Sequence, residues 1–258
     1  MLRSLWSKIT IDSDSSEEGD WDPVTAIPEE DLPWIWAIHD VEVLDWKKSC
    51  QNDKEIQAMA VKQSKLPVLI SSYRKKTGEV VSVYLSGAKY AHDVELLKSR
   101  GITHVLNVAG RVGQGDEEQY KGAGILVRNI SAEDEEGYPM LDLHLEEVTK
   151  LIDETPSGSN IVIHCVAGLN RSGVLVAAYH LLAERHNVLE VVSHLRKQRG
   201  NMVLCNLSFA VQLVALARAN GLLGPVPGDP SCLVQEAAPS ISTYFPSQPQ
   251  KKTIKSLF

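Results

Sequence analysis

Asn160-Ile161-Val162-Ile163-His164-Cys165-Val166-Ala167-Gly168-Leu169-Asn170-Arg171-Ser172-Gly173 joins an apolar, β-branched run to a loop that holds a glycine. Behind it, Val174 to Arg185 is long, apolar and free of Gly and Pro. The first run predicts a buried strand and the last a buried helix. A strand that turns through such a loop into a helix N-terminus makes an anion site. Unpaired amides and the positive end of the helix dipole point at one spot there. Cys165 opens the loop, where the same groups stabilise a thiolate. Arg171 lies six residues on and can return over the loop to grip two oxygens of a phosphate bidentately. Lysine lacks the planar fork for that task. Ser172 is placed to donate a hydrogen bond to the sulfur.

Cys-x5-Arg followed by Ser172, preceded by His164 and with Gly168 three residues after the cysteine, resembles the signature of the cysteine-dependent phosphatases of the protein tyrosine phosphatase superfamily. Other segments narrow the likeness to the dual-specificity phosphatases. Val80-Val81-Ser82-Val83-Tyr84-Leu85-Ser86-Gly87 resembles their opening strand, and Gly101-Ile102-Thr103-His104-Val105-Leu106-Asn107-Val108-Ala109 their second. Ile130-Ser131-Ala132-Glu133-Asp134 resembles the strand end and loop that carry their general acid. Asn206, Phe209, Gln212 and Leu213 resemble the start of their last helix. The resemblance spans about residues 79 to 221.

What the resemblance implies is an α/β fold, a central mostly parallel sheet flanked by helices, with a strand-loop-helix active site. It implies a protein phosphatase that works through a phosphocysteine intermediate, with Cys165 as nucleophile. Arg171 and the loop amides of Val166, Ala167, Gly168, Leu169 and Asn170 would hold the phosphoryl oxygens. Ser172 would stabilise the sulfur as it leaves in the second step, and His164 would support the loop. Asp134 would be the acid that protonates the leaving oxygen; its neighbours Glu133, Glu135 and Glu136, and Asp142 further on, are the alternates. Asn170 is read as a brace for the loop. No cofactor and no metal is called for. Cys205 is read as a small buried hydrophobe, with a disulfide to Cys165 on oxidation as the other reading.

Composition limits the partners. The formal charge is −7, whereas proteins that hold nucleic acid by bulk electrostatics usually carry a basic face. Cys50, Cys165, Cys205 and Cys232 have neither metal nor disulfide spacing. A reactive thiolate suits a reducing compartment, so the expected location is cytoplasmic, with the nucleus open. No apolar run reaches the ~18 to 20 residues of a membrane span, and the N-terminus has no signal-peptide core. Uncharged Val166, Ala167 and Leu169 argue against an inositol lipid headgroup with its extra phosphates. The Asn170-Arg171-Ser172-Gly173 ending also resembles RNA 5′-triphosphatases, which the acidic balance disfavours. The expected substrate is therefore a phosphorylated protein, carrying phosphotyrosine and in a shallow pocket also phosphoserine or phosphothreonine. A phosphate-dependent binding module is the reading from a different class.

Three regions are expected: an acidic, Trp-rich extension over 1–78, a catalytic domain over 79–221 and a Pro-rich irregular tail over 222–258. From Ile9 to Trp46 there are twelve acidic residues and no Lys or Arg, and all five tryptophans lie by residue 46. Residues 13–18 have the composition of a disordered segment. Trp34-Ile35-Trp36-Ala37-Ile38 is too apolar to stay in water. It either packs back on the catalytic domain or docks a partner. Helices are expected over Gln51 to Lys65, Ala88 to Ser99, Pro139 to Glu154, from Asn187 to Gly200 behind an Asn187/Glu190 capping box, and from Asn206 to Asn220. Residues 110–124 are expected to be loop.

Overall fold

The computed structural model describes residues 27–39, 67–74 and 78–228. Five strands form one sheet: β1 (Val68–Arg74), β2 (Val80–Gly87), β3 (Ile102–Asn107), β4 (Leu126–Asn129) and β5 (Asn160–Cys165), in the spatial order β1-β2-β5-β3-β4. β2, β5, β3 and β4 are parallel, and β1 runs antiparallel along β2. The described helices are α1 (Leu32–Ile38), α2 (Ala88–Ala91), α3 (Val94–Ser99), α4 (Glu117–Gly122), α5 (Met140–Glu154), α6 (Arg171–Glu184), α7 (Val188–Arg199) and α8 (Leu207–Ala219).

β5 is apolar on both sides because it is central, with helices over each face. Ile161 and Ile163 face the larger core under α5, α6, α7 and α8. Val162 faces a smaller one with Leu97 of α3 and Tyr120 of α4. α6 is buried all round from Ser172 to Leu181, which explains its lack of a polar stripe. α5 is amphipathic and buries Leu141, Leu145, Val148 and Ile152 on one side. The capping box of Asn187 and Glu190 opens α7, and Asn206 caps α8. Strand β5 thus ends, and helix α6 begins, at the C-terminal edge of a parallel sheet, where α/β folds place their ligands.

Several expectations are corrected. The predicted helix from Ala88 to Ser99 is broken at His92-Asp93, because the Asp93 carboxylate accepts from Leu96 N at 3.0 Å and starts a new helix. Residues 110–124 hold a 3-10 turn (Gly110–Gly113) and α4, which Asp116 caps by accepting from the amides of Glu118 and Gln119. A further strand, β1, precedes Val80–Gly87 and pairs antiparallel with it, so the sheet begins before the stretch that resembles the family's opening strand. The expected helix over 51–65, the acidic serine segment 13–18 and most of the Pro-rich tail lie outside the described residues.

The apolar stretch at 34–38 folds back onto the chain. α1 lays Trp34, Ile35 and Ile38 into the large core against α7 and α8, leaving Trp36 46% exposed. A buried Asp31 just before the helix accepts from Arg218 Nε at 2.8 Å, and Glu30 adds a second, solvent-facing contact to the same guanidinium at 3.3 Å. Compact structure therefore extends on the N-terminal side of residue 79.

Candidate active site

The loop from Cys165 to Arg171 is shaped by where its carbonyls go. Val166 O accepts from Ala88 N at 3.0 Å, and Asn170 O from Val174 N at 2.8 Å. Leu169 O accepts from Leu204 N at 3.2 Å. Arg199 donates to Ala167 O at 2.9 Å through Nη2 and to Gly168 O at 3.2 Å through Nε. Five successive carbonyls are held by groups outside the loop. Peptide planarity then turns the amides of the loop toward its interior, the arrangement that makes an anion nest. Cys165 Sγ lies at the centre, accepting from Gly168 N at 3.2 Å and from Ser172 Oγ at 3.3 Å.

Gly168 makes this closure possible. Its φ is +72°, and a Cβ there would lie 2.2 Å from the Ser86 carbonyl oxygen and 2.6 Å from Gly87 N. Both obstacles are backbone of β2, which cannot step aside. Gly168→Ala is expected to open the loop: inorganic phosphate should bind at least tenfold more weakly in calorimetry, while circular dichroism stays native. Unchanged phosphate affinity would show that the loop tolerates the displacement.

Arg171 leaves the first turn of α6 and reaches over to the loop after β4. Its Nη1 donates to Ala132 O at 3.1 Å, and its Nε stands 3.7 Å from Asp134 Oδ2. That Nε is buried and has no hydrogen-bond partner within the protein. Asp134 is held from two more sides, by Asn206 Nδ2 to Oδ1 at 3.3 Å and by Asn170 Nδ2 to Oδ2 at 3.5 Å. Its pKa is raised above the ordinary carboxylate value. Desolvation is the main cause, and it outweighs the Arg171 charge and the two amide hydrogen bonds, which pull the other way. The side chain keeps 31% of its exposure, so the group is crowded but reachable.

His164 is buried beneath the loop and donates from Nδ1 to the Cys165 carbonyl at 3.3 Å. Burial, with a smaller contribution from His92, brings its pKa down to about 4, so the ring is neutral. His92 packs edge-on against it at 5.8 Å and donates to Gly113 O. Asn170 Oδ1 accepts from Cys205 Sγ at 3.2 Å and from Asn206 N at 3.1 Å, which ties the loop to the start of α8. No disulfide joins Cys165 to Cys205. Of the alternate acids, Glu136 accepts from Ser208 N at 3.0 Å at the start of α8, and Glu133 and Glu135 are exposed. Asp142 lies in the first turn of α5, where burial also raises its pKa. Among the described residues no group of three His, Cys, Asp or Glu is arranged to hold a metal, and no helix is long and apolar enough to cross a membrane.

Two residues of this site were not singled out for it by sequence. Arg199 is fully buried, and burial lowers its pKa to about 10 while the nearby Cys165 pulls it up, so it stays charged at neutral pH. Asn206 is legible as a helix cap, but its hold on Asp134 depends on tertiary approach across 72 positions.

Comparison with known proteins agrees with this geometry. Residues 83–219 match the model of the dual specificity phosphatase catalytic domain. Dual specificity protein phosphatase 26 of Homo sapiens is 33% identical over 138 residues, covering 53% of this chain and 64% of that protein; the chain thus spans less than two thirds of that relative. Dual specificity protein phosphatase 5 of Homo sapiens is 28% identical over 205 residues, covering 77% of this chain and 52% of that protein. The crystal structure of human DUSP28 shares the fold at a TM-score of 0.50 and 19% identity, covering 61% of this chain and 96% of that one. With its family match spanning more than half its length, and a cysteine and an arginine framing a loop of inward amides, the chain belongs to the dual specificity phosphatase family.

Proposed function

We propose that this protein is a phosphatase of phosphorylated proteins, acting on phosphotyrosine and also on phosphoserine and phosphothreonine. One observation carries the reading most: a thiol at the centre of a loop whose five carbonyls all bond outward, with a buried guanidinium N–H at its rim that makes no hydrogen bond within the protein. That arrangement suits a tetrahedral dianion and its trigonal transition state. The absence of charge at Val166, Ala167 and Leu169 supports a monoester on protein over a headgroup with several phosphates.

The Cys165 thiolate attacks phosphorus, the sulfur–phosphorus bond forms, and the bond to the leaving oxygen breaks. Asp134 gives that oxygen its proton. The loop amides and Arg171 hold the three equatorial oxygens. In the second step Asp134, now a carboxylate, takes a proton from water as the water attacks phosphorus. The sulfur–phosphorus bond breaks, and the Ser172 hydroxyl stabilises the departing thiolate. His164 supports the loop as a neutral ring, and no cofactor takes part. The nucleophile must stay reduced, so the cytoplasm, with the nucleus open, is the compartment that fits. A docking role for the extension would rest on Trp36 among the described residues, because its apolar neighbours are in the core.

Asp134→Asn tests the reading. An aryl ester with a nitrophenolate leaving group departs with little help, whereas a tyrosine phenolate needs the proton. The variant should lose about 10²-fold or more on a phosphotyrosyl peptide and only a few-fold on the activated ester. Wild-type rate against pH should be bell-shaped. Its falling limb follows deprotonation of Asp134 and should lie above the ordinary carboxylate range, because desolvation holds the proton on. The limb should flatten in the variant. Asp142→Asn and Glu135→Gln should keep both behaviours. Loss of the limb in Asp142→Asn with its retention in Asp134→Asn would move the acid.

A further inference from the structure

Leu204 has a φ of +63°, a left-handed backbone that a residue with a Cβ adopts only under constraint. The carbonyls on both sides of it are held. Arg196 Nε donates to Val203 O at 3.2 Å, and His39 Nε2 donates to Cys205 O at 3.1 Å. Arg196 also donates through Nη2 to Ile38 O, so the end of α1 reaches this loop twice. At its other end α1 is moored by the buried Asp31 on Arg218, and between them by Trp34, Ile35 and Ile38 in the core.

The far side of the same loop faces the active site. Leu204 N holds Leu169 O, Cys205 Sγ and Asn206 N hold Asn170 Oδ1, and Asn206 Nδ2 holds Asp134 Oδ1. A continuous set of contacts therefore runs from His39, through one constrained residue, to the anion loop and to the acid. Flipping the backbone of Leu204 into an ordinary conformation would turn its amide away from Leu169.

We propose that the segment from Asp31 to His39 is an intramolecular clamp that, through Cys205 and Asn206, keeps Asp134 in register with the anion loop, with His39 as its positioning residue. The inference rests on the phosphatase reading above. His39 lies outside the 83–219 match, so the clamp belongs to this chain's extension and not to the matched domain.

The test uses the full chain with His39→Ala and with His39→Gln, whose amide can still donate to the Cys205 carbonyl. His39→Ala should lower kcat about tenfold on a phosphotyrosyl peptide and less than threefold on dinitrophenyl phosphate, with KM for both within twofold. Misplacement by less than an ångström is enough for losses of that size. His39→Gln should restore most of the loss. Arg218→Gln, which frees α1 at its other end, should show the same split and guards against a single variant that fails to fold. Hydrogen exchange at the Leu204 amide should speed up in His39→Ala, and this readout does not depend on turnover. Equal loss on both esters, or unchanged Leu204 exchange, overturns the clamp. A wild-type chain that hydrolyses no aryl phosphate overturns the phosphatase reading instead, and the exchange measurement still decides the clamp.

Discussion

Cys165→Ser should remove turnover of every phosphate monoester, by at least about 10⁴-fold, while leaving a folded protein. The replacement is nearly isosteric. A serine oxygen can accept from Gly168 N and from Ser172 Oγ, the two groups that now approach the sulfur at 3.2 and 3.3 Å, so the loop keeps its shape. The nucleophile does not survive, since a hydroxyl remains protonated at neutral pH. Inorganic phosphate should bind the variant with affinity near wild type, because the amides and Arg171 are untouched. Steady-state kinetics on a preparation freed of other phosphatases, paired with phosphate titration, checks both halves. Residual activity above about one percent would remove Cys165 from the role, and lost phosphate binding would show that the sulfur shapes the loop.

Arg171→Lys should lower kcat/KM by two to three orders of magnitude, comparable with removing an oxyanion donor. Two losses combine. A point charge replaces the fork, so two parallel hydrogen bonds to the phosphoryl group become one. The Nη1 bond to Ala132 O also goes, and Ala132 stands two residues before Asp134. The damage should therefore reach the acid loop as well as the anion. A lysine enzyme should have a raised KM and, separately, a larger kcat loss on poor leaving groups than on good ones. Activity within a few-fold of wild type would show that Arg171 is not the clamp on phosphate.

The catalytic loop is legible in the sequence because its logic is local. Strand, glycine, arginine and helix lie within a few residues of one another. α5 and α7 are legible for the same reason, from periodicity and a capping box. What escaped reading depends on distance in the chain. Leu204 meets Leu169, Asn206 meets Asp134, and His39 meets Cys205 only after the sheet and its helices have assembled. Arg199 is an intermediate case. Val188, Val191, Val192 and Leu195 form the buried stripe of α7, and Arg199 continues it one turn on. An arginine on an apolar stripe signals a buried job for a charge, though only the fold names the carbonyls of Ala167 and Gly168 as its partners. The break at Asp93 and the helix after Asp116 were also open to local reading, since both aspartates cap helices in the ordinary way.

A fragment begun at residue 79 lacks β1. In the whole chain the outward side of β1 is guarded by an irregularity between Leu69 and Ser71 and by the charge of Arg74, devices that discourage further strands from adding. Cutting β1 away would leave β2 with a bare row of peptide N–H and C=O groups and no such guard. It would also strip Ile70 and Tyr73 from the core, along with the carbonyl that receives His194 and the phenol that meets His180. Such a fragment is a template for pairing with its own copies. Insolubility of a catalytic domain trimmed at residue 79 would then be a property of the cut, and not of the whole chain.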